Sequence, residues 1–274
     1  MAKSELIVSS MPEPDANGNI VTVTPASAGW TYVGFEVFKL APGQSFKRQA
    51  DDSSELCAVL LSGKANASAG RKQWGEIGDR MSVFEQKQPY CVYVPAGLEL
   101  GLEALTDVEL AICSAPAKGE LEPRLIAPED IEVEIRGQGN TERRIHQILP
   151  ENKPAESLLV VEVFTPNGHW SSYPPHKHDQ NNLPEESYLE ETYYHKIQPE
   201  HGFAIQRVYT DDRSLDETLI LKSGDTVLVP KGYHPVSAPP GYDVYYLNVM
   251  AGPIRTWKFH NDPDHEWIMK QWKK

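Results

Sequence analysis

Apolar positions along the chain come in short runs, many of them alternating with polar ones. Examples are TYVGFEVFKL, LCAVLLSG, YCVYVPAG, LELAICSA, SLLVVEVFTP, FAIQRVYT, DTVLVPKGY and DVYYLNVMAG. Each run is bounded by Gly, Pro or Asn, and each reads as a strand between turns. Helical periodicity is confined to segments near Ala127 to Glu134 and Asp264 to Trp272. The pattern predicts an all-β protein, and many short strands at close spacing predict sandwiches or closed barrels.

The second half repeats the first in outline. Gly78-Asp79 leads through YCVYVPAG, and Gly224-Asp225 leads through TVLVPKG. Two copies of one barrel explain this economically, and 274 residues are enough for two domains. The proline-rich segment SAPAKGELEPRLIAP marks where the first ends, giving residues 1–125 and 126–274.

Composition narrows the function by exclusion. A formal charge of -13 argues against nucleic acid as a partner. The N-terminus lacks a charged-then-apolar signal pattern, and no run approaches the roughly 18 apolar residues of a membrane span. The expectation is a cytoplasmic protein without a membrane partner. Cys57, Cys91 and Cys113 form no C-x-x-C pair, which predicts buried structural thiols. Gly137-Gln138-Gly139 lacks the third glycine of a dinucleotide fingerprint, and no P-loop is present, so no nucleotide cofactor is implied.

The chemistry concentrates after residue 170. Tyr173-Pro174-Pro175-His176-Lys177-His178 places two imidazoles two positions apart, on one side of a strand. Glu191 opens Glu191-Thr192-Tyr193-Tyr194, another strand pattern in which Glu191 and Tyr193 share a face. Gly224 through Pro230 and Gly232 then leads to His234. Three imidazoles and one carboxylate make an N/O donor set suited to one divalent ion, Zn, Mn, Fe, Co or Ni. A lone histidine here would be an ordinary core or surface residue; the joint spacing is what points to a metal.

This spacing resembles the two signatures of the cupin superfamily, His-x-His followed by Glu, and Gly-x5-Pro-x-Gly followed by His. The resemblance implies two tandem cupin barrels of jelly-roll type, a bicupin. There are departures: twelve residues separate His178 from Glu191, and one rather than two separates Gly232 from His234. The first implies an inserted loop, DQNNLPEESYL, and leaves Glu185, Glu186 and Glu190 as competitors of Glu191, which the Glu-x-Tyr-Tyr pattern favours. In the first half Lys47-Arg48-Gln49 stands where His-x-His would lie, Glu55 is retained, and Glu99 replaces the last histidine. That barrel is expected to be structural and free of metal.

Longer strings are more specific. SLLVVEVFTPNGHWSSYPPHKHDQNNLPEESYLEETYYH, FAIQRVYTDDRSLDET, PKGYHPVSAPPGY and YYLNVMAGPIRTWKFHNDPDHEWI resemble the 5-deoxy-glucuronate isomerase family of myo-inositol catabolism. The resemblance spans nearly the whole chain. It implies an aldose to ketose isomerisation of 5-deoxy-D-glucuronate to 2-deoxy-5-keto-D-gluconate, by an enediol or by a hydride shift. Tyr193, His195, Tyr209 and Tyr245 are the acid and base candidates, against a bland alternative of core packing. Arg207, on an otherwise apolar strand, would meet either the substrate carboxylate or an acidic neighbour. Lys177 and Lys231 are weaker carboxylate candidates, and His260 and His265 belong to an aromatic closing segment rather than a second metal site. The competing functions are a cupin dioxygenase using the same ion and a non-catalytic sugar-binding bicupin. A homodimer is compatible with the sequence.

Overall fold

The computed structural model describes residues 4–272. Strands dominate, as the alternation predicts. Of the two expected helical segments, the first is a 3-10 turn at Pro128–Asp130 followed by strand Glu132–Arg136. EVEIR alternates with period two, and Pro128 supports only a first turn. The second is a short helix at Trp267–Gln271. No helix among the described residues is long and apolar enough to cross a membrane.

The chain divides into two compact units. One comprises Ser10–Glu132 and Ile148–Val160; the other comprises residues up to Ser9, Val133–Gln147 and everything from Val161 onward. Each therefore draws on more than one stretch, where the sequence suggests a single division near 125/126.

In the first unit a six-stranded sheet runs, in spatial order, Arg124–Ile126, Cys91–Val94, Ser54–Ser62, Val108–Pro116, Gly34–Leu40 and Asn19–Val23. A four-stranded sheet runs Ser45–Gln49, Glu99–Ala104, Ala65–Ala69 and Lys72–Ile77. Inner faces of both contribute to one core that includes Phe38, Phe46, Leu60, Leu100 and Leu102. Alternation follows directly: Phe46 points into this core while Lys47 next to it is exposed. Lys47 meets Glu99 in an ion pair at 2.8 Å on the exposed surface. The three cysteines are buried and form no disulfide.

Glu55 has a different use. It is fully buried and accepts hydrogen bonds from the backbone N–H groups of Glu156 (2.9 Å), Ser157 (2.7 Å) and Leu158 (2.7 Å). The Tyr93 hydroxyl donates to it as well, at 2.5 Å. Burial first, and the Glu55 carboxylate second, push the Tyr93 hydroxyl well above its ordinary pKa, so it stays a donor. A carboxylate with this many donors is a strong structural tie.

The second unit has a seven-stranded sheet in the order Ile7–Ser9, Asp225–Val229, Glu190–Gln198, Asp243–Ala251, Leu159–Thr165, Arg143–Leu149 and Glu132–Arg136. Its four-stranded sheet runs Trp170–Ser171, Val236–Ser237, Ala204–Tyr209 and Asp216–Leu221. All nine histidines lie after residue 145. Ile7–Ser9 pairs antiparallel with Asp225–Val229, with Ile7 opposite Val227, and the Ser9 hydroxyl donates to Asp225 Oδ1 at 2.5 Å.

The Glu55 tie yields a stability prediction. Glu55→Ala strands three backbone donors and should lower unfolding free energy by about 3 kcal/mol, with Tyr93→Phe costing about 1 kcal/mol. Denaturant titration followed by fluorescence measures both, and an unchanged midpoint for Glu55→Ala would contradict the tie.

Candidate metal centre and its cavity

Three local devices bring the histidines and the carboxylate together. His176 begins the two-residue strand His176–Lys177, which pairs with His260–Asn261, and the alternation continues to His178. The inserted loop folds as a hairpin, Asp179–Asn182 against Glu186–Tyr188. It returns the chain so that Leu189 N donates to His178 O at 2.9 Å and Leu189 O lies 3.0 Å from His178 Nδ1. Glu191 follows, in the strand Glu190–Gln198, opposite Val229 on one side and Met250 on the other.

The third device is Gly232. Its φ is +89°, and a Cβ there would come within 2.4 Å of the Tyr209 carbonyl oxygen, so no other residue fits without displacing backbone. That conformation aims the Gly232 carbonyl back at His234, whose Nδ1 lies 2.8 Å from it.

With both Nδ1 atoms donating to backbone carbonyls, the rings of His178 and His234 turn their Nε2 atoms toward Glu191. His178 Nε2 lies 3.0 Å and His234 Nε2 3.2 Å from Glu191 Oε2. Among the described residues, His178, Glu191 and His234 are the group of three whose ligand atoms all lie within 4.8 Å of one another. The second carboxylate oxygen, Oε1, accepts from Asn248 Nδ2 at 2.7 Å. His234 Nε2 is buried and makes no hydrogen bond. His176 stands beside the trio, its ring centroid 5.0 Å from that of His234 and 6.4 Å from that of His178.

Electrostatics agree with the geometry. Burial holds His234 down to about 4, and burial together with the neighbouring imidazoles holds His176 well below its ordinary range. For His178 burial also acts downward, but the Glu191 carboxylate outweighs it and the net shift is upward. Lone pairs packed this close need a proton or a cation between them. Buried N/O donors, second nitrogens pinned by carbonyls and an orphaned Nε2 fit a divalent metal ion.

The same side chains open on a small, partly open cavity of about 20 Å³, room for little more than one water molecule. Besides His176 and Glu191 it is lined by Arg143, Ser172, Tyr193 and Tyr246. The Tyr193 hydroxyl lies 3.1 Å from Ser172 Oγ, and burial pushes the pKa of both tyrosines upward, keeping them protonated. Trp257 also lines the cavity, and Phe259 packs on His176 with ring centroids 4.6 Å apart. A larger open hollow of about 850 Å³ in the first unit, near Lys39, Leu40 and Met81, carries no comparable cluster.

Several sequence candidates are placed elsewhere, for reasons of strand phase. Tyr246 and Asn248 face the cavity, so Tyr245, the residue before Tyr246, faces away; its hydroxyl donates to Glu162 Oε2 at 2.9 Å. Gln206 points inward, bonding His195 and the His234 carbonyl, so Arg207 points outward. There Arg207 forms a two-pronged ion pair with Asp216 (2.8 and 2.7 Å), with its side chain 40% exposed. Tyr209 lies under the Arg207 guanidinium and donates to Asp262. Arg207, Tyr209 and Tyr245 therefore do not join the cluster, whereas Tyr193 does. Lys177, one position out of phase with the histidines, is buried among Asp179, Asp211 and Glu186. Of the competing glutamates, Glu186 accepts from Asp179 N and only Glu191 is in the trio. His195 is buried deeper, bonded through Nε2 to Gln206, with burial holding it down to about 4. Sequence reading missed Arg143, Ser172, Tyr246 and Asn248. The available signal was the out-of-place arginine in the alternating strand RRIHQIL and the polar Asn248 in YYLNVMA.

Comparison with known proteins is consistent along the full length. A 5-deoxy-glucuronate isomerase of Geobacillus kaustophilus is 66% identical over 267 residues, covering 97% of this chain and 96% of that protein. One from Bacillus subtilis strain 168 is 50% identical over 250 residues, covering 91% and 92%. The crystal structure of an IolB-like protein from Salmonella typhimurium LT2 superimposes with a TM-score of 0.94 at 50% identity, covering 97% of this chain and all of that one. An oxalate decarboxylase of Lactobacillus farciminis shares the fold alone, with a TM-score of 0.66 at 14% identity over 95% and 89% of the two chains. The architecture is thus the bicupin that the two signatures imply. The family model described as KduI/IolB matches residues 6–268, and the chain belongs to that family.

Proposed function

We propose that this protein isomerises 5-deoxy-D-glucuronate to 2-deoxy-5-keto-D-gluconate at the cavity of the second unit, with His176, His178, Glu191 and His234 holding one divalent ion. The observation that carries the site is the convergence of the His178 and His234 Nε2 atoms on one Glu191 oxygen in a buried cavity. The relatives at 66% and 50% identity, named for this isomerisation, supply the substrate. Residues 126–274 contain every residue of this site, and the first half serves as a structural partner.

A divalent ion in this position supplies Lewis acidity toward a sugar carbonyl and its neighbouring hydroxyl. The protein's own groups do the rest. Tyr193, protonated and hydrogen-bonded to Ser172, offers a proton to a sugar oxygen. Tyr246 lies close by, its ring 5.0 Å from that of Tyr193, and presents a second neutral hydroxyl. Asn248 holds Glu191 in one orientation. A sugar is far larger than this cavity of about 20 Å³, so Trp257 and Phe259 on the closing segment move outward for entry and return to exclude water.

Three outcomes are expected. Chelation should abolish conversion of 5-deoxy-D-glucuronate, followed by NMR as aldehyde loss and ketone gain, and a divalent ion should restore it. Oxygen uptake during turnover would instead favour a dioxygenase, and sugar binding without turnover a binding protein. Asn248→Ala should weaken metal affinity or activity by about 10–100-fold. Tyr193→Phe should retain the metal, measured by elemental analysis, while kcat falls by roughly 100-fold or more.

A further inference from the structure

We propose that Arg143 recognises the carboxylate of the sugar, making it the charge-specificity residue of the site; this rests on the uronate reading above. In the strand Arg143–Leu149, Arg143 and Ile145 share the face that lines the cavity with His176 and Glu191. The arginine is only 5% exposed. Its Nη1 donates to two neutral acceptors, the carbonyls of Thr141 (3.0 Å) and Tyr173 (3.1 Å). Among the described residues no carboxylate hydrogen-bonds or ion-pairs with it, although Glu134, engaged with Arg136, lies close enough to act on its charge, and its Nε and Nη2 make no hydrogen bond.

Two more exposed arginines of this unit are ion-paired instead. Arg136, on the same cavity wall, is held by both oxygens of Glu134 at 2.8 Å, and Arg207 is held by both oxygens of Asp216. A buried charge without a directly bonded counter-charge is costly. Burial draws the Arg143 pKa down to about 10, and its positive field contributes to the depression at His176. The two carbonyls fix one prong of the fork and leave the Nε–Nη2 edge, the one suited to a bidentate carboxylate, for a ligand. Ser172 and Tyr246 flank it with hydroxyls. A carboxylate here supplies the missing negative charge at the opposite end of a sugar whose carbonyl lies at the metal cluster.

The test uses the metal-loaded full chain and two binding probes of nearly equal shape, D-glucuronate and its uncharged amide D-glucuronamide, by calorimetric titration. The wild type should bind the acid about tenfold or more tighter than the amide, the range set by a charged hydrogen bond. Arg143→Gln should erase that preference, Arg143→Lys should restore part of it, and Arg207→Gln should leave it unchanged. In turnover of 5-deoxy-D-glucuronate, Arg143→Gln should raise KM more than it lowers kcat. Equal binding of the two probes by the wild type, binding of neither, or an undiminished preference in Arg143→Gln overturns the assignment. If Arg143→Gln fails to fold, the wild-type ratio and the lysine variant still decide. A wild type that prefers the acid but does not isomerise 5-deoxy-D-glucuronate sinks the proposed reaction and leaves Arg143 as an anion site.

Discussion

The second unit is organised around one electrostatic constraint: imidazole lone pairs and a carboxylate oxygen cannot sit about 3 Å apart in a buried space without positive charge among them. Every local feature nearby follows from setting up that arrangement. The Leu189 and Gly232 carbonyls select the ring tautomers, the Asn248 amide occupies the other carboxylate oxygen, and the Gly232 backbone conformation exists to turn His234 inward. Backbone groups, which cannot change rotamer, do most of the aiming, and this is why a site reached from three separate parts of the chain can be held tightly.

The first unit handles its charges differently. Where the second unit gathers imidazoles around a carboxylate, the first places opposite charges together, Lys47 against Glu99, at the solvent surface. Its buried Glu55 is satisfied by N–H and O–H donors. A buried glutamate is thus compatible with either fate, and what decides is whether its neighbours are donors or lone pairs.

The fold and metal cluster were legible because both rest on local periodicity: alternation gives the strands, and His-x-His with Glu191 and His234 gives the donors. Residues that depend on strand phase relative to a distant neighbour were less so. Tyr245 and Tyr246 are adjacent and chemically alike, and only the register against Glu190–Gln198 tells which faces the cavity. Arg207 and Arg143 both interrupt apolar strands, but the partner that neutralises Arg207, Asp216, lies across a hairpin in the next strand. The strand Ile7–Ser9 escaped notice because three residues carry no periodic signal.

That short strand has a consequence for how the chain is made. Its partner, Asp225–Val229, is among the last segments to be synthesised, and the pairing spans about 220 residues of chain. During translation the N-terminal strand is exposed early and without its mate, while the first unit can assemble its own sheets from nearly contiguous sequence. Until Ile7–Ser9 docks, Asp225–Val229, the strand leading to His234, has an open edge that other nascent chains can pair with. Completion of the sheet that carries Glu191 is therefore a late event, and the interval before it is when the polypeptide is most prone to wrong partners.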